Sequence, residues 1–81
     1  MTPEQAFGHA VRVRRAERRL SQEGLALASG LDRAYISQLE RGRQSPTLGT
    51  VFRLARALGL PPSDLLARAE AELAAPPEPA G

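Results

Sequence analysis

Residues 21–42 read Ser-Gln-Glu-Gly-Leu-Ala-Leu-Ala-Ser-Gly-Leu-Asp-Arg-Ala-Tyr-Ile-Ser-Gln-Leu-Glu-Arg-Gly and contain the boundaries of two short helices. Ser21 can cap the first helix and Gly30 breaks it. Asp32 can cap the second helix, and Gly42 can end it in a left-handed turn. Two helices so short, joined by about four residues that include Gly, cannot lie antiparallel and must cross steeply. The segment therefore predicts a helix-turn-helix.

A wider set of residues gives this segment a family likeness. The set comprises Leu20-Ser21-Gln22, Leu25-Ala26, Gly30, Ile36-Ser37, Leu39-Glu40-Arg41-Gly42 and Ser45-Pro46-Thr47-Leu48. It resembles the XRE-type helix-turn-helix family that includes the lambdoid phage repressors and their Cro proteins. Within that family, the run from Leu31 to Ser37 and Glu40-Arg41-Gly42 look most like the small controller proteins of restriction-modification systems.

The resemblance covers about residues 7–66 and implies both a fold and a function. The fold would be all-α, a compact five-helix bundle with the helix-turn-helix at its centre. The function would be sequence-specific DNA binding by a homodimer that regulates transcription. If the likeness to controller proteins holds, the operator would lie upstream of the protein's own gene and of a restriction endonuclease gene.

The second helix of the motif, about residues 33–41, is the predicted recognition helix. Its outward face is small, polar and nearly free of acidic residues, which suits a major groove about 12 Å wide. Arginine binds guanine through two hydrogen bonds, and a small apolar side chain can contact a thymine methyl group. The side chains that we expect to contact bases are Arg33, Ala34, Ser37 and Gln38.

The expected phosphate contacts flank this helix. In the resembled family, a Gln at the position of Gln22 binds a DNA phosphate and braces the recognition helix. The likeness to controller proteins implies that Tyr35 contacts the phosphate backbone of the DNA. The loop after the helix is basic and can lie along the backbone, although a charged loop is often only solvated. The full set is Ser21, Gln22, Tyr35, Arg41, Arg43 and Gln44.

Glu40 would repel phosphate if it faced the DNA. It falls about 70° from the core direction at 100° per residue, so it can turn inward. In the resembled family, an Arg at the position of Arg15 pairs with this Glu, which implies a largely buried ion pair here. Two neighbours depart from the family pattern: Arg14 stands where an apolar residue is usual, and Arg19 stands where Gly is common. We expect Arg14 to cover the core edge and to send its charge to water.

The flanking sequence predicts three more helices. A capping box at Thr2 starts the first helix, which should extend to about Arg19, with His9 solvated on its outer side. The fourth should run from Leu48 to Leu58, with Leu48 on the inward face, and the fifth should cover about 63–74, capped by Ser63. An 81-residue chain buries only ~60% of its unfolded surface, which favours self-association. The last helix could simply close the core, or it could form a two-fold contact with a second copy of the chain. The candidate dimer contacts are Phe52, Leu66, Ala69 and Leu73.

Charge and composition narrow the function classes. Residues 1–60 hold ten Arg against five acidic residues, whereas residues 61–81 hold one Arg against four. The basic part is thus the predicted DNA-binding part, although a G+C-rich genome could equally explain why all eleven basic residues are Arg. With no Cys and one His, the chain offers no thiolate metal site and no nucleophile-base pair, so we expect neither an enzyme nor a cofactor.

The remaining predictions concern organisation and partners. Residues 1–74 should form a single domain, and the Pro-rich residues 75–81 should be disordered. The chain shows no secretion signal, no apolar run long enough for a membrane and no second domain for a small-molecule effector, so we expect a cytoplasmic, nucleoid-associated protein. Its partners would be double-stranded DNA and a second copy of itself. The alternative is an antitoxin or adaptor whose helix-turn-helix mainly binds protein.

Overall fold

A computed structural model describes residues 1–74, and within that range it contains five α-helices and no strand. The all-α fold with a central helix-turn-helix is thereby confirmed. The predicted disordered tail, residues 75–81, lies outside the described residues. The helices are α1 (Pro3–Glu17), α2 (Gln22–Ser29), α3 (Arg33–Glu40), α4 (Leu48–Ala57) and α5 (Pro62–Ala74).

Hydroxyl groups of Ser and Thr side chains cap the starts of three helices. The Thr2 hydroxyl accepts a hydrogen bond from a backbone N–H of α1 and completes the predicted capping box. Ser21 caps α2 and Thr47 caps α4 in the same manner. Two expectations were wrong. Asp32 occupies the N-cap position of α3 without a side-chain hydrogen bond, and α5 already begins at Pro62, where the fixed φ of proline suits the first helical turn.

The ends of the helices depend on left-handed residues. Helix α1 stops at Glu17, before the predicted Arg19, because Arg19 itself has a φ of 57°. Gly30, Gly42 and Gly59 take the same conformation after α2, α3 and α4. Arg19 thus adopts the conformation that explains why Gly is common at its position in the family that the sequence resembles.

The core lies between α1 and the other four helices. Its largest fully buried side chains are Val11, Leu25, Ile36, Leu39, Leu54, Leu58 and Leu65. Helix α1 crosses α3 closely at Gly8, where an added Cβ would collide with the carbonyl oxygen of Leu39. This close approach fixes the end of α3 against α1 and therefore holds α3 in place.

The inward face of α4 differs from the predicted one. Leu48, expected to face inward, is 70% exposed, whereas Leu54 is fully buried. Leu48 is the first residue of its helix, so its side chain lies beyond the edge of the core. The true buried face of the helix is Val51, Leu54 and Ala55, continued by Leu58.

Two polar residues of α1 also behave differently from the prediction. The Arg14 guanidinium donates to the carbonyl oxygens of Leu58 and Gly59, at 3.0 and 3.3 Å, instead of pointing to water. These carbonyls end α4 without helical partners, and a cation is favourable at that negative end. His9 is not solvated alone, because its Nδ1 lies 2.9 Å from Oε1 of Glu72 and links α1 to α5.

Candidate nucleic-acid interface

Helix α3 presents two rows of side chains away from the core. Ile36 and Leu39 are fully buried and define its inner side. On the outer side, residues spaced by four form a row that consists of Arg33, Ser37 and Arg41, and Ala34 and Gln38 form the adjacent row. Arg33, Ala34 and Arg41 are exposed, whereas Ser37 and Gln38 are half-buried. The four predicted base contacts therefore share one surface of α3.

The row that begins at Arg33 borders a polar cleft of about 350 Å³, which we call the arginine cleft. Three helices form its walls, because α1 and the start of α2 face α3 across it. Its charges are four guanidinium groups and one carboxylate. The lining residues are Arg12, Arg15, Gln22, Arg33, Ser37, Glu40 and Arg41.

The single carboxylate of the cleft is neutralised by an ion pair. Arg15 Nε and Nη2 donate to the two oxygens of Glu40 at 2.6 and 2.9 Å, and Arg15 Nη1 donates to the carbonyl oxygen of Leu20. The Glu40 side chain is only 4% exposed. The hydrogen bond to Glu40 raises the pKa of Arg15, against the opposing effect of burial. The pair that the family likeness implied is present, and Glu40 adds no free negative charge to the arginine cleft.

Gln22 is held in place by the same carboxylate. Its Nε2 donates to Oε1 of Glu40 at 3.1 Å, which leaves the second amide hydrogen available to another acceptor. Ser21, beside it, uses its hydroxyl oxygen to cap the Gly24 N–H at 2.9 Å. A Cβ added at Gly24 would lie 3.2 Å from the Ser21 oxygen, but Gln5 and Thr50 hold the same capped position in α1 and α4, so the cap does not explain the glycine.

The remaining phosphate candidates lie at different depths. Arg41 and Arg43 are both exposed, but Arg41 lines the arginine cleft and Arg43 lies in the loop that leads to α4. The Arg43 N–H donates to the carbonyl oxygen of Gln38 and so ties the loop to the end of α3. Gln44 is half-buried in that loop, and Tyr35 packs against the core with part of its surface still accessible.

Arg12 belongs to the cleft but was not among the predicted contacts. The sequence carried a usable signal, because Arg12 precedes Arg15 by three residues and so lies on the same side of α1. That signal depends on knowing that Arg15 faces α3. Unless the crossing of α1 over α3 is known, nothing distinguishes Arg12 from the other arginines near the end of α1.

A second, apolar surface lies on α4 and α5. Phe52, Leu66 and Leu73 are 54%, 46% and 45% exposed, as expected for candidate dimer contacts. Ala69 differs from these three, because it is only 7% exposed and packs in the core cluster, so it offers little surface to a second copy. Its neighbours Leu66 and Leu73 flank an open groove of about 420 Å³ whose floor includes Phe7.

Across residues 1–74, no set of three or more His, Asp or Glu side chains is arranged to hold a metal ion. Over the same residues, none of the helices has the length and apolarity that a membrane span requires.

Comparison with known proteins assigns this geometry to a family. A family model described as Helix-turn-helix matches residues 11–65. The control protein C.BamHI of Bacillus amyloliquefaciens is 43% identical over 61 residues, which cover 74% of this chain and 75% of that protein.

Two solved structures are similar over most of the chain. The clp gene regulator ClgR of Corynebacterium glutamicum superposes with a TM-score of 0.88 at 32% identity, over 91% of this chain and 79% of that one. The restriction-modification controller protein C.AhdI of Aeromonas hydrophila gives a TM-score of 0.74 at 43% identity, over 75% of this chain and 92% of that one.

Proposed function

The chain belongs to the helix-turn-helix family of DNA-binding transcriptional regulators, and from this membership we propose that it binds a roughly palindromic operator as a homodimer. Helix α3 enters the major groove and reads the bases through Arg33, Ala34, Ser37 and Gln38. No catalytic step is part of this function. The protein acts in the cytoplasm, on the nucleoid.

The observation that carries the proposal is the arginine cleft beside the exposed face of α3. Three of its guanidinium groups, on Arg12, Arg33 and Arg41, have no carboxylate partner among the described residues, because Glu40 is bound to Arg15. Unpaired guanidinium groups can bind DNA phosphates, and the major groove of DNA is wide enough to admit the helix beside them.

The proposed contacts divide into two classes. The outer rows of α3 supply the base contacts, since they project furthest from the core. Gln22 and the end of α3 supply phosphate contacts, and Ser21 supports them by capping α2. The expected phosphate ligands are Ser21, Gln22, Tyr35, Arg41, Arg43 and Gln44.

The homodimer rests on the apolar surface of α4 and α5. Phe52, Leu66 and Leu73 leave about half of each side chain in contact with water, a costly arrangement for a small domain. A two-fold contact through this surface would cover them. It would also present two recognition helices to successive major grooves, about 34 Å apart.

Similarity to control protein C.BamHI and to the controller protein C.AhdI supports a narrower role. In that role, the protein is the controller of a restriction-modification system, and its operator lies upstream of its own gene and of a restriction endonuclease gene. Footprinting on the DNA that precedes its gene tests this part. The absence of a protected site there would reject the controller role without affecting DNA binding.

The deciding experiment is selection of binding sites from a random DNA pool at physiological salt, followed by a salt titration on the selected site. A two-fold symmetric site with half-sites about one helical turn apart is the expected result. The variant Arg33→Ala, run in parallel, should lose preference at one position of each half-site. Enrichment of no sequence, with only weak salt-sensitive binding, would reject the regulator and favour a module that binds a protein partner.

A further inference from the structure

Arg12 is the one guanidinium group of the arginine cleft that comes from α1 and lacks an ion-pair partner among residues 1–74. Its side chain is exposed and makes no hydrogen bond within that range. Across the cleft stand Arg33 and Arg41 of α3, and at its end stands Gln22. Arginine side chains from two separate helices therefore line the same cleft.

Support of the α1 helix itself does not explain this residue. Cations stabilise the negative end of a helix only within the last turn, and the basic residues of that turn are Arg14 and Arg15. Arg12 lies a turn earlier. Placing it opposite two other arginines adds repulsion in the free protein, since the one carboxylate nearby is already bound by Arg15.

We propose that Arg12 binds a backbone phosphate of the operator DNA inside the arginine cleft, together with Arg41 and the free amide hydrogen of Gln22. The inference rests on the proposed function and extends its interface to α1. A phosphate offers acceptor oxygens to donors on three sides, and a guanidinium group can bind two of those oxygens at once. The phosphate therefore supplies the negative charge that the unpaired guanidinium groups of the cleft lack.

The position of this phosphate has a consequence for base reading. Arg33 and Ser37 line the same cleft and belong to the proposed base-reading face of α3. A phosphate clamped between α1 and α3 would fix how deeply this face enters the groove. Arg12 is then a positioning contact for α3 and carries no sequence preference of its own.

The first test compares Arg12→Gln with a matched control, Arg18→Gln. Both remove one charge from an exposed arginine near the end of α1, but the Arg18 guanidinium lies beside Gly59 on the side of α4 and α5. On the selected operator and on a random duplex, Arg12→Gln should lower affinity about 10-fold and reduce the salt slope by about one. The control should change neither. Equal effects of the two variants would overturn the proposal, since they would show general electrostatics.

The second test locates the contact on the DNA. Single phosphates of the operator are replaced in turn by uncharged methylphosphonates, and each substituted duplex is titrated with the parent and with Arg12→Gln. At one position per half-site, neutralisation should weaken the parent about 10-fold and the variant hardly at all. Equal losses for both proteins at every position would overturn the phosphate clamp even if the operator is bound specifically.

The same design separates this inference from the proposed function. If the parent selects no specific site, the proposed function fails, and the slope on the random duplex still tests Arg12. An unchanged slope for Arg12→Gln there would overturn the clamp as well. Thermal unfolding of both variants should match the parent, because neither side chain makes an ion pair among the described residues.

Discussion

At the scale of single residues, Glu40 joins the core of the protein to the proposed DNA-binding surface. Its carboxylate accepts two hydrogen bonds from Arg15 and one from Gln22, so one buried group orients both a structural partner and a proposed phosphate ligand. A buried carboxylate is tolerated only when its oxygens are satisfied. Removal of Arg15 or Gln22 should therefore affect both the stability of the fold and the geometry of the proposed DNA contacts.

Replacing Arg15 by Met should cost about 3 to 5 kcal/mol of unfolding free energy, because it leaves the charge of Glu40 buried without a cation. Urea unfolding followed by circular dichroism measures the loss. The double variant Arg15→Met with Glu40→Leu removes both charges and should recover most of it. A single-variant loss under about 1 kcal/mol would contradict a buried, energetically coupled pair.

Glu17 links α1 to α5 and gives a pH prediction. Hydrogen bonds from Arg68, and secondly from Arg14, lower the pKa of Glu17 below its ordinary value. A carboxylate with a folded pKa below its unfolded pKa adds stability above the unfolded value, about 4.3, and loses it as the pH falls through the folded value. The melting temperatures of the parent and of Glu17→Gln should therefore differ at pH 6 and converge toward pH 3.

The control for Glu17 is Glu70→Gln, on an exposed carboxylate of α5 that forms no ion pair among the described residues. Its melting temperature should follow the parent in parallel over the same pH range. A gap between the parent and Glu17→Gln that stays constant from pH 6 to pH 3 would exclude the ion pair as its cause.

Whether the sequence alone could predict the contacts of an arginine depends on where its hydrogen-bond partner lies. Arg15 and Glu40 could be paired because a family likeness links the two positions. Arg14 could not be assigned, because its acceptors are main-chain carbonyls 44 and 45 residues further along. Their availability is decided by where α4 ends, which no pattern around Arg14 encodes.

At the scale of elements, α3 is short and depends on its neighbours. Eight residues are too few for a stable helix in isolation, so its order comes from burial of Ile36 and Leu39 and from the crossing of α1 at Gly8. The α2 and α3 boundaries were predictable within a residue, because Ser21, Gly30 and Gly42 supply local signals. The end of α1 was missed, because an Arg at a left-handed position carries no such signal.

The two proposed contact classes, bases for α3 and phosphates for the loop after it, predict different responses to substitution. Replacing Arg33 by Ala should cost about 1 to 3 kcal/mol on the selected operator and much less on random DNA, because it removes a base contact. Replacing Arg43 by Ala should weaken both and lower the salt slope by about one, because it removes a phosphate contact. Fluorescence anisotropy on both duplexes measures this. Equal losses on both DNAs for Arg33→Ala would refute base reading.

At the scale of the whole molecule, the arginine cleft and the candidate dimer surface are built from different helices. The arginine cleft lies beside α3, whereas the exposed apolar side chains of Phe52, Leu66 and Leu73 lie on α4 and α5. Composition indicated the charge division. It could not indicate which apolar residues of α5 remain exposed, since Ala69 and Leu73 share a helical spacing but only Ala69 reaches the core.

Replacing Leu66 by Glu should weaken self-association by about 100-fold or more, because each dimer would bury two charges in place of two leucines. Sedimentation at several concentrations measures this. Leu27→Glu is the matched control, since Leu27 is 81% exposed on α2 and should leave association unchanged. Affinity of the Leu66 variant should fall more for the full operator than for a duplex with one half-site. A variant that still sediments as a dimer would reject the α4 and α5 surface.

The left-handed backbone of Arg19, with its φ of 57°, has a consequence for how this chain can evolve. A side chain in that conformation costs roughly 1 to 2 kcal/mol, of which Gly would recover part. Arg19→Gly should therefore raise the melting temperature by a few degrees, as a calorimetric scan would show. One substitution would thus provide a reserve large enough to offset a mildly destabilising change in the recognition helix. New operator preferences could be explored from that background without loss of the folded state.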